Sequence, residues 1–186
     1  MLILLGKSCS GKSTIQRELI NLGMKPILEY TTRPKRTGEA DGEQYHFIME
    51  RDFRELKRNG YFAVNVSYKV SNGERWNYGV AKEDLSDNKV IITNPLVLGT
   101  LKNLTGIHPI VFYIDVNENV AWERLLKRKD NIYEAQRRII SDRNDFKDIE
   151  QQVDFVFANN GVTSPVLLAD MIKDTYKKHI EKLKNE

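Results

Sequence analysis

Three observations predict an α/β fold in which helices cover both faces of a parallel sheet. Short apolar runs alternate with helix-like stretches along most of the chain. The first run, Leu2–Leu5, passes through a Gly- and Ser-rich turn directly into a helical pattern. The chain has 186 residues, enough for one domain of this kind with a substantial core.

Each element has its own signal. Leu2–Leu5 reads as the first strand, and Ile15–Leu22 as the first helix, closed by Gly23. Pro26-Ile27-Leu28-Glu29-Tyr30 reads as the second strand and Val90-Ile91-Ile92-Thr93 as the third. Asn94-Pro95 then opens a helix, with Asn as cap and Pro in the first turn, and Leu98, Leu101 and Leu104 keep helical spacing. Ile110–Ile114 is the fourth strand, ending in Asp115. Helices are expected from about Glu118 to Arg128 and from about Tyr133 to Phe146. Val153–Phe157 is the fifth strand. Ser164-Pro165 starts the last helix, whose stripe runs Leu168, Met171, Ile172, Tyr176, Ile180, Leu183. Between Thr31 and Lys82 the alternation stops. Runs such as Tyr45–Met49 and Tyr61–Ser67, with a short helix at Asp52–Lys57, predict an inserted antiparallel subdomain.

The turn after the first strand carries the chemistry. Gly6-Lys7-Ser8-Cys9-Ser10-Gly11-Lys12-Ser13 matches G-x-x-x-x-G-K-[ST] at every fixed position, in the strand–loop–helix setting the motif needs. Backbone N–H groups and a helix N-terminus make a concave anion site there. The predicted fold is therefore that of the P-loop NTPases, with a five-stranded parallel sheet. The expected ATP-binding set is Gly6, Ser8, Ser10, Gly11, Lys12, Ser13 and Thr14. Lys12 reaches the terminal phosphates as a catalytic charge, and the Ser13 hydroxyl is the expected ligand of Mg²⁺.

Bulk composition narrows the partners. A net charge of +3, with 30% charged and 40% hydrophobic residues, does not point to nucleic acid or a membrane. No apolar run is long enough to span a bilayer. The single cysteine, Cys9, excludes an internal disulfide and suits a reducing, cytoplasmic location. With a strand starting at Met1-Leu2, no targeting peptide is expected. The state expected is a monomer or a homodimer.

A second stretch is more selective than the phosphate loop. Tyr30-Thr31-Thr32-Arg33-Pro34-Lys35-Arg36-Thr37-Gly38-Glu39-Ala40-Asp41-Gly42-Glu43-Gln44-Tyr45-His46-Phe47 resembles the T-T-R-x-x-R-x-G-E-x-x-G-x-x-Y-x-F segment of the guanylate kinase family. Glu123-Arg124-Leu125-Leu126-Lys127-Arg128 and Arg137-Arg138-Ile139 resemble the two ends of that family's lid. The resemblance implies one domain over 1–186, with a core at 1–32 and 82–186, an acceptor-binding insert at 33–81 and a lid at about 128–138. It implies that Arg33, Arg36, Tyr45 and Tyr78 hold the acceptor's phosphate, and that Arg128 and Arg138 close over the transferred group. The chemistry agrees. An acceptor monophosphate beside a triphosphate needs its charge neutralised, and guanidinium forks bind phosphate bidentately at any working pH. The implied reaction is ATP- and Mg²⁺-dependent phosphoryl transfer to a nucleoside monophosphate, GMP or dGMP by family default.

The resemblance breaks at the base end. The family's guanine-reading glutamate falls on Val64, a Ser/Thr position on Val80, and a serine on Glu29. The D-x-D after the third strand becomes Thr93-Asn94-Pro95-Leu96. Another base is thus open, and Glu74, Asn77 or Glu29 could fill the gap. Two other readings stand beside this one: a kinase for a phosphorylated sugar such as a ribose bisphosphate, and a non-catalytic binding module, against which the intact Gly11-Lys12-Ser13 argues. Asp115 is read as a helix N-terminal acid and Asn159 equally as an adenine contact or a turn residue. Arg124 and Arg143 are divided between function and surface charge balance, with Arg143 expected to point inward.

Overall fold

The computed structural model describes residues 1–35, 38–43, 45–69, 73–104, 106–127 and 132–185, with the backbone alone at 132, 134, 135 and 138. Strand β1 (Leu2–Leu5) leads through the Gly-rich loop into α1 (Lys12–Asn21), and two short strands follow, β2 (Lys25–Pro26) and β3 (Tyr30–Thr31). Next come β4 (His46–Phe47), α2 (Glu50–Arg58), β5 (Phe62–Lys69) and β6 (Arg75–Ala81). The chain then returns through β7 (Lys89–Ile92), α3 (Pro95–Lys102), β8 (Ile110–Asp115), α4 (Glu118–Lys127), α5 (Ile132–Asp145), β9 (Phe155–Ala158) and α6 (Pro165–Lys184).

The strands make two sheets. One has the order β2-β7-β1-β8-β9 and is parallel throughout. The other has the order β4-β3-β6-β5. All four side chains of β1 are fully buried, as a central parallel strand requires. Alternation assigns them to two layers. Leu2 and Leu4 pack with Ile15 and Leu19 of α1 and Leu168, Ile172 and Tyr176 of α6. Ile3 and Leu5 pack on the opposite face with Val97, Leu98 and Leu101 of α3 and with Val64 and Val80 of the second sheet. The expected helix signals operate: Asn94 Oδ1 accepts from Leu96 N and Val97 N, and Ser164 caps α6 through Leu167 N.

The structure departs from expectation in the second strand. Residues 26–30 do not form one strand. Lys25–Pro26 pairs with β7, and Tyr30–Thr31 pairs with β6 and β4 in the other sheet. Ile27 N still bonds Val90 O at 2.9 Å, so the switch falls at Leu28-Glu29. The second sheet is also mixed: β3 runs parallel to β4, because a long crossover rather than a hairpin joins them. On α6, Met171 and Leu183 are exposed, since the buried stripe is narrower than the apolar one.

Candidate active site

The Gly-rich loop leaves the carboxyl end of β1, which lies between β7 and β8. The chain continues from β1 to one side of the sheet and from β7 to the other. This strand-order switch opens a crevice at the carboxyl edge of the sheet. The local backbone explains the glycines. At Gly6 a Cβ would stand 2.6 Å from Ile114 O and strike Ser10 Oγ. Gly11 has φ +93°, and a Cβ there would strike the Asn159 amide. Lys12 folds back on the loop, donating to Gly6 O at 2.6 Å, Lys7 O at 2.9 Å and Ser10 Oγ at 3.4 Å. Enclosure of its ammonium lowers its pKa to about 8, against the charges of Asp142 and Cys9, which raise it. Ser13 is exposed and Ser10 fully buried at the base of the loop.

Side chains distant in sequence buttress this loop. Arg124 on α4 donates to Cys9 O at 3.0 Å and to Asn159 O at 3.0 Å. The buried Asn159, at the end of β9, donates from Nδ2 to Ser10 O at 2.8 Å. Both residues thus act on the loop rather than on the surface. A further contact had no sequence signal: Ser8 N donates to Asp142 Oδ2 of α5 at 2.6 Å.

The residues expected to hold the acceptor rest on the second sheet. Thr31 Oγ1 donates to Asn77 O at 3.0 Å and accepts from Arg33 N at 3.1 Å, while Thr32 Oγ1 accepts from Asn77 N at 2.9 Å. The paired threonines therefore staple the arginine-bearing loop to β6. Arg33 is 4% exposed. Its Nη2 donates to both oxygens of Glu39 at 2.9 Å and its Nη1 to Pro34 O at 2.8 Å. Burial pulls its pKa down, but the bonds and charge of Glu39 outweigh it, and the net direction is upward. The guanidinium lies 5.3 Å from the Tyr45 ring centre. Tyr45 meets Tyr78 edge-on at 6.1 Å, and Tyr78 meets Tyr68 at 5.4 Å. Arg33, Tyr45 and Tyr78 are thus together on one wall, which Tyr68 extends. Arg36, the fourth expected acceptor residue, lies outside the described residues.

The lid expectations fall largely outside as well. Arg128 is not among the described residues, and Arg138 is described only through the backbone of α5. Arg143 does not point inward: it is 61% exposed and paired with Glu118 on the first turn of α4, which draws its charge to the surface. Asp115 is the last residue of β8. The helix-entry cap falls instead to Asn117, whose Oδ1 accepts from Asn119 N. Towards its C-terminus, α5 touches the phosphate loop through Asp142, and Asp145 is within electrostatic reach of Tyr68.

At the base end, Val64 and Val80 pair across β5 and β6 and are 2% and 1% exposed, packed into the core. Of the polar candidates, Asn77 Nδ2 is held by Glu50 Oε2 at 2.6 Å, and Glu74 is exposed. Glu29 sits at the seam between the sheets, 5% exposed, with Oε1 accepting from Thr93 Oγ1 at 3.2 Å. Burial raises its pKa to about 7, partly offset by the Thr93 bond. Nearby, the Tyr68 hydroxyl is buried, with the Asn94 side chain beside it but no partner in good hydrogen-bond geometry among the described residues. A carboxyl whose folded pKa lies above its unfolded value adds stability below the unfolded pKa, and loses it as pH rises through the folded one. From pH 5 to pH 8, Glu29→Gln should therefore gain on the parent protein by roughly 2–4 kcal/mol in unfolding free energy. Denaturant unfolding at both pH values measures it; a constant gap would mean that Glu29 is solvated.

A glycine-rich anion loop at the sheet's switch point, with a buried arginine pinned beside a second sheet, defines a P-loop phosphotransferase. The guanylate kinase family model matches residues 1–175, and the chain belongs to that family. It is a nucleoside monophosphate kinase by class. The guanylate kinase of Helicobacter hepaticus is 28% identical over 170 residues, 88% of this chain and 84% of that protein. The guanylate kinase of Chlorobium luteolum is 32% identical over 136 residues, 69% and 67% of the two chains. In fold, the chain is similar to the crystal structure of guanylate kinase from Anaplasma phagocytophilum, with a TM-score of 0.65 at 19% identity, over 96% of this chain and 85% of that one. Among the described residues no helix is long and apolar enough to cross a membrane, and no group of three or more His, Cys, Asp or Glu could hold a metal ion.

Proposed function

We propose that the chain transfers the γ-phosphoryl group of ATP to the phosphate of a purine nucleoside monophosphate, GMP or dGMP foremost. One observation carries this reading. α5 bonds the phosphate loop through Asp142 and comes within electrostatic reach of Tyr68, which extends the Arg33–Tyr45–Tyr78 wall, so a donor triphosphate and an acceptor phosphate can meet in one cleft. Transfer of this kind is mostly positioning and charge stabilisation. Lys12 and the loop amides hold the donor; Arg33, Arg36, Tyr45 and Tyr78 hold the acceptor; Arg128 and Arg138 close on the transferred group. The residues present suit Mg²⁺: Ser13 offers one hydroxyl oxygen, and this ion prefers to keep water and phosphate oxygens rather than a full protein cage. When bound, it would neutralise charge on the β- and γ-phosphates. The cytoplasm, where ATP is abundant, is the expected location.

The division into a core at 1–32 and 82–186, an acceptor insert at 33–81 and a lid at about 128–138 belongs to the same proposal. So does the base end, which we assign to Glu29. Its carboxylate can accept from adjacent N–H groups of a guanine edge, and the Tyr68 hydroxyl can donate to the neighbouring carbonyl. Kinetics on GMP, IMP, AMP, CMP, UMP, dTMP and ribose bisphosphate test this. IMP differs from GMP only by the exocyclic amine. GMP should exceed IMP in kcat/KM by at least about tenfold, and Glu29→Gln should shrink that ratio. Equal use of GMP and AMP would remove the assignment to Glu29. Turnover of ribose bisphosphate alone would replace the nucleotide with a sugar acceptor.

A further inference from the structure

The phosphate loop already holds an anion supplied by the chain itself. Asp142 Oδ2 accepts from Ser8 N at 2.6 Å, a short charge-assisted bond across 134 residues of sequence. Its charge also reaches the Lys12 ammonium, which is folded onto the carbonyl oxygens of its own loop. The neighbouring Arg143 does not neutralise this carboxylate, because it is bonded to Glu118 on α4. A phosphate oxygen and a carboxylate oxygen cannot both take the Ser8 N–H at bonding distance. Two anions at that spacing would also repel strongly in a half-buried site.

We propose that Asp142 is a positioning residue that occupies a donor-phosphate place in the loop and is displaced by the donor triphosphate. Donor binding thereby re-seats α5, the helix that carries Arg138 one turn before Asp142. This rests on the reading that the loop binds the donor triphosphate. The displacement links occupancy of the loop to the placement of the lid helix, and it weakens donor binding by the strength of the Ser8–Asp142 bond that must break. The Arg143–Glu118 pair tethers the same turn to α4, so α5 can pivot without leaving the core.

The test is the affinity of ATP and of tripolyphosphate, measured by calorimetry on the parent protein, Asp142→Asn and Asp142→Ala. Removing the competing charge should tighten both ligands by about three- to tenfold, Ala at least as much as Asn, while the acceptor KM stays within about twofold. A residue that merely supports the loop would change affinity in the opposite direction when removed. In the amide spectrum of the parent before any ligand is added, the Ser8 proton should resonate downfield as a carboxylate-bonded amide. It should move upfield in Asp142→Asn, and tripolyphosphate should shift it in the parent without first having to order it. Unchanged or weaker donor affinity in both variants overturns the proposal, as does a Ser8 amide that is solvent-like in the parent. Should the variants not fold, the parent spectrum alone decides. Absence of any ATP or tripolyphosphate binding to the parent would instead remove the phosphoryl-transfer reading itself.

Discussion

Lys12→Ala is expected to lower turnover by about two to four orders of magnitude, the scale of a fixed charge acting on the transferred group. The reason lies in where the ammonium already stands. It is held by Gly6 O, Lys7 O and Ser10 Oγ within the loop that would surround the donor phosphates. The charge is therefore placed before the substrate arrives, and little reorganisation is needed as negative charge develops on the γ-phosphoryl oxygens. Steady-state kinetics with a circular dichroism control measures the effect. Near-normal turnover in a folded Lys12→Ala protein would sink the catalytic role of the loop. A Lys12→Arg variant should rescue little, because a planar fork cannot replace a compact ammonium among three closely set oxygens.

Arg33→Ala carries the second large effect. The guanidinium is 4% exposed, bonded by both oxygens of Glu39 and set 5.3 Å from the Tyr45 ring centre. Removing it takes away the proposed charge partner of the acceptor and one charge partner of the Glu39 carboxylate. Loss of a charge-assisted bond costs about 1.5–3 kcal/mol, and a bidentate pair loses two of them. The acceptor kcat/KM should therefore fall by at least about a hundredfold, while ATP affinity, set on the other wall, stays within about threefold. Titrating the two substrates separately separates the effects. Selective loss of ATP binding would place Arg33 on the donor side.

The phosphate loop and the helix starts at Asn94 and Ser164 were legible because each is written in neighbouring residues. A loop whose Gly6 and Gly11 permit close approach, and a cap whose side chain bonds amides two or three residues on, are set by short-range geometry. The arginine-bearing loop was legible for a similar reason. Thr31, Thr32 and Arg33 are adjacent, and the threonines pin the arginine's backbone to β6.

The contacts that complete the site come from much further away. Ser8 meets Asp142 across 134 positions, Ser10 meets Asn159 across 149, and Glu29 meets Thr93 across 64. No periodicity or spacing rule registers such pairs. Each is a polar group whose partner is decided by how strands β1, β7, β8 and β9 bring their carboxyl ends together. The same cause divides residues 26–30 between two sheets: apolar patterning announces an extended segment but not which neighbour supplies its hydrogen bonds. Local chemistry in the chain thus determined the family, the glycine-rich loop and the buried arginine pinned beside β6. The packing of distant elements decided the rest: that Arg124 and Asn159 brace the loop, that Val64 and Val80 belong to the core, and that Asp142 takes the Ser8 amide. Burial and unpaired polar groups are properties of a surface closed in three dimensions, and they come into being only when that surface closes.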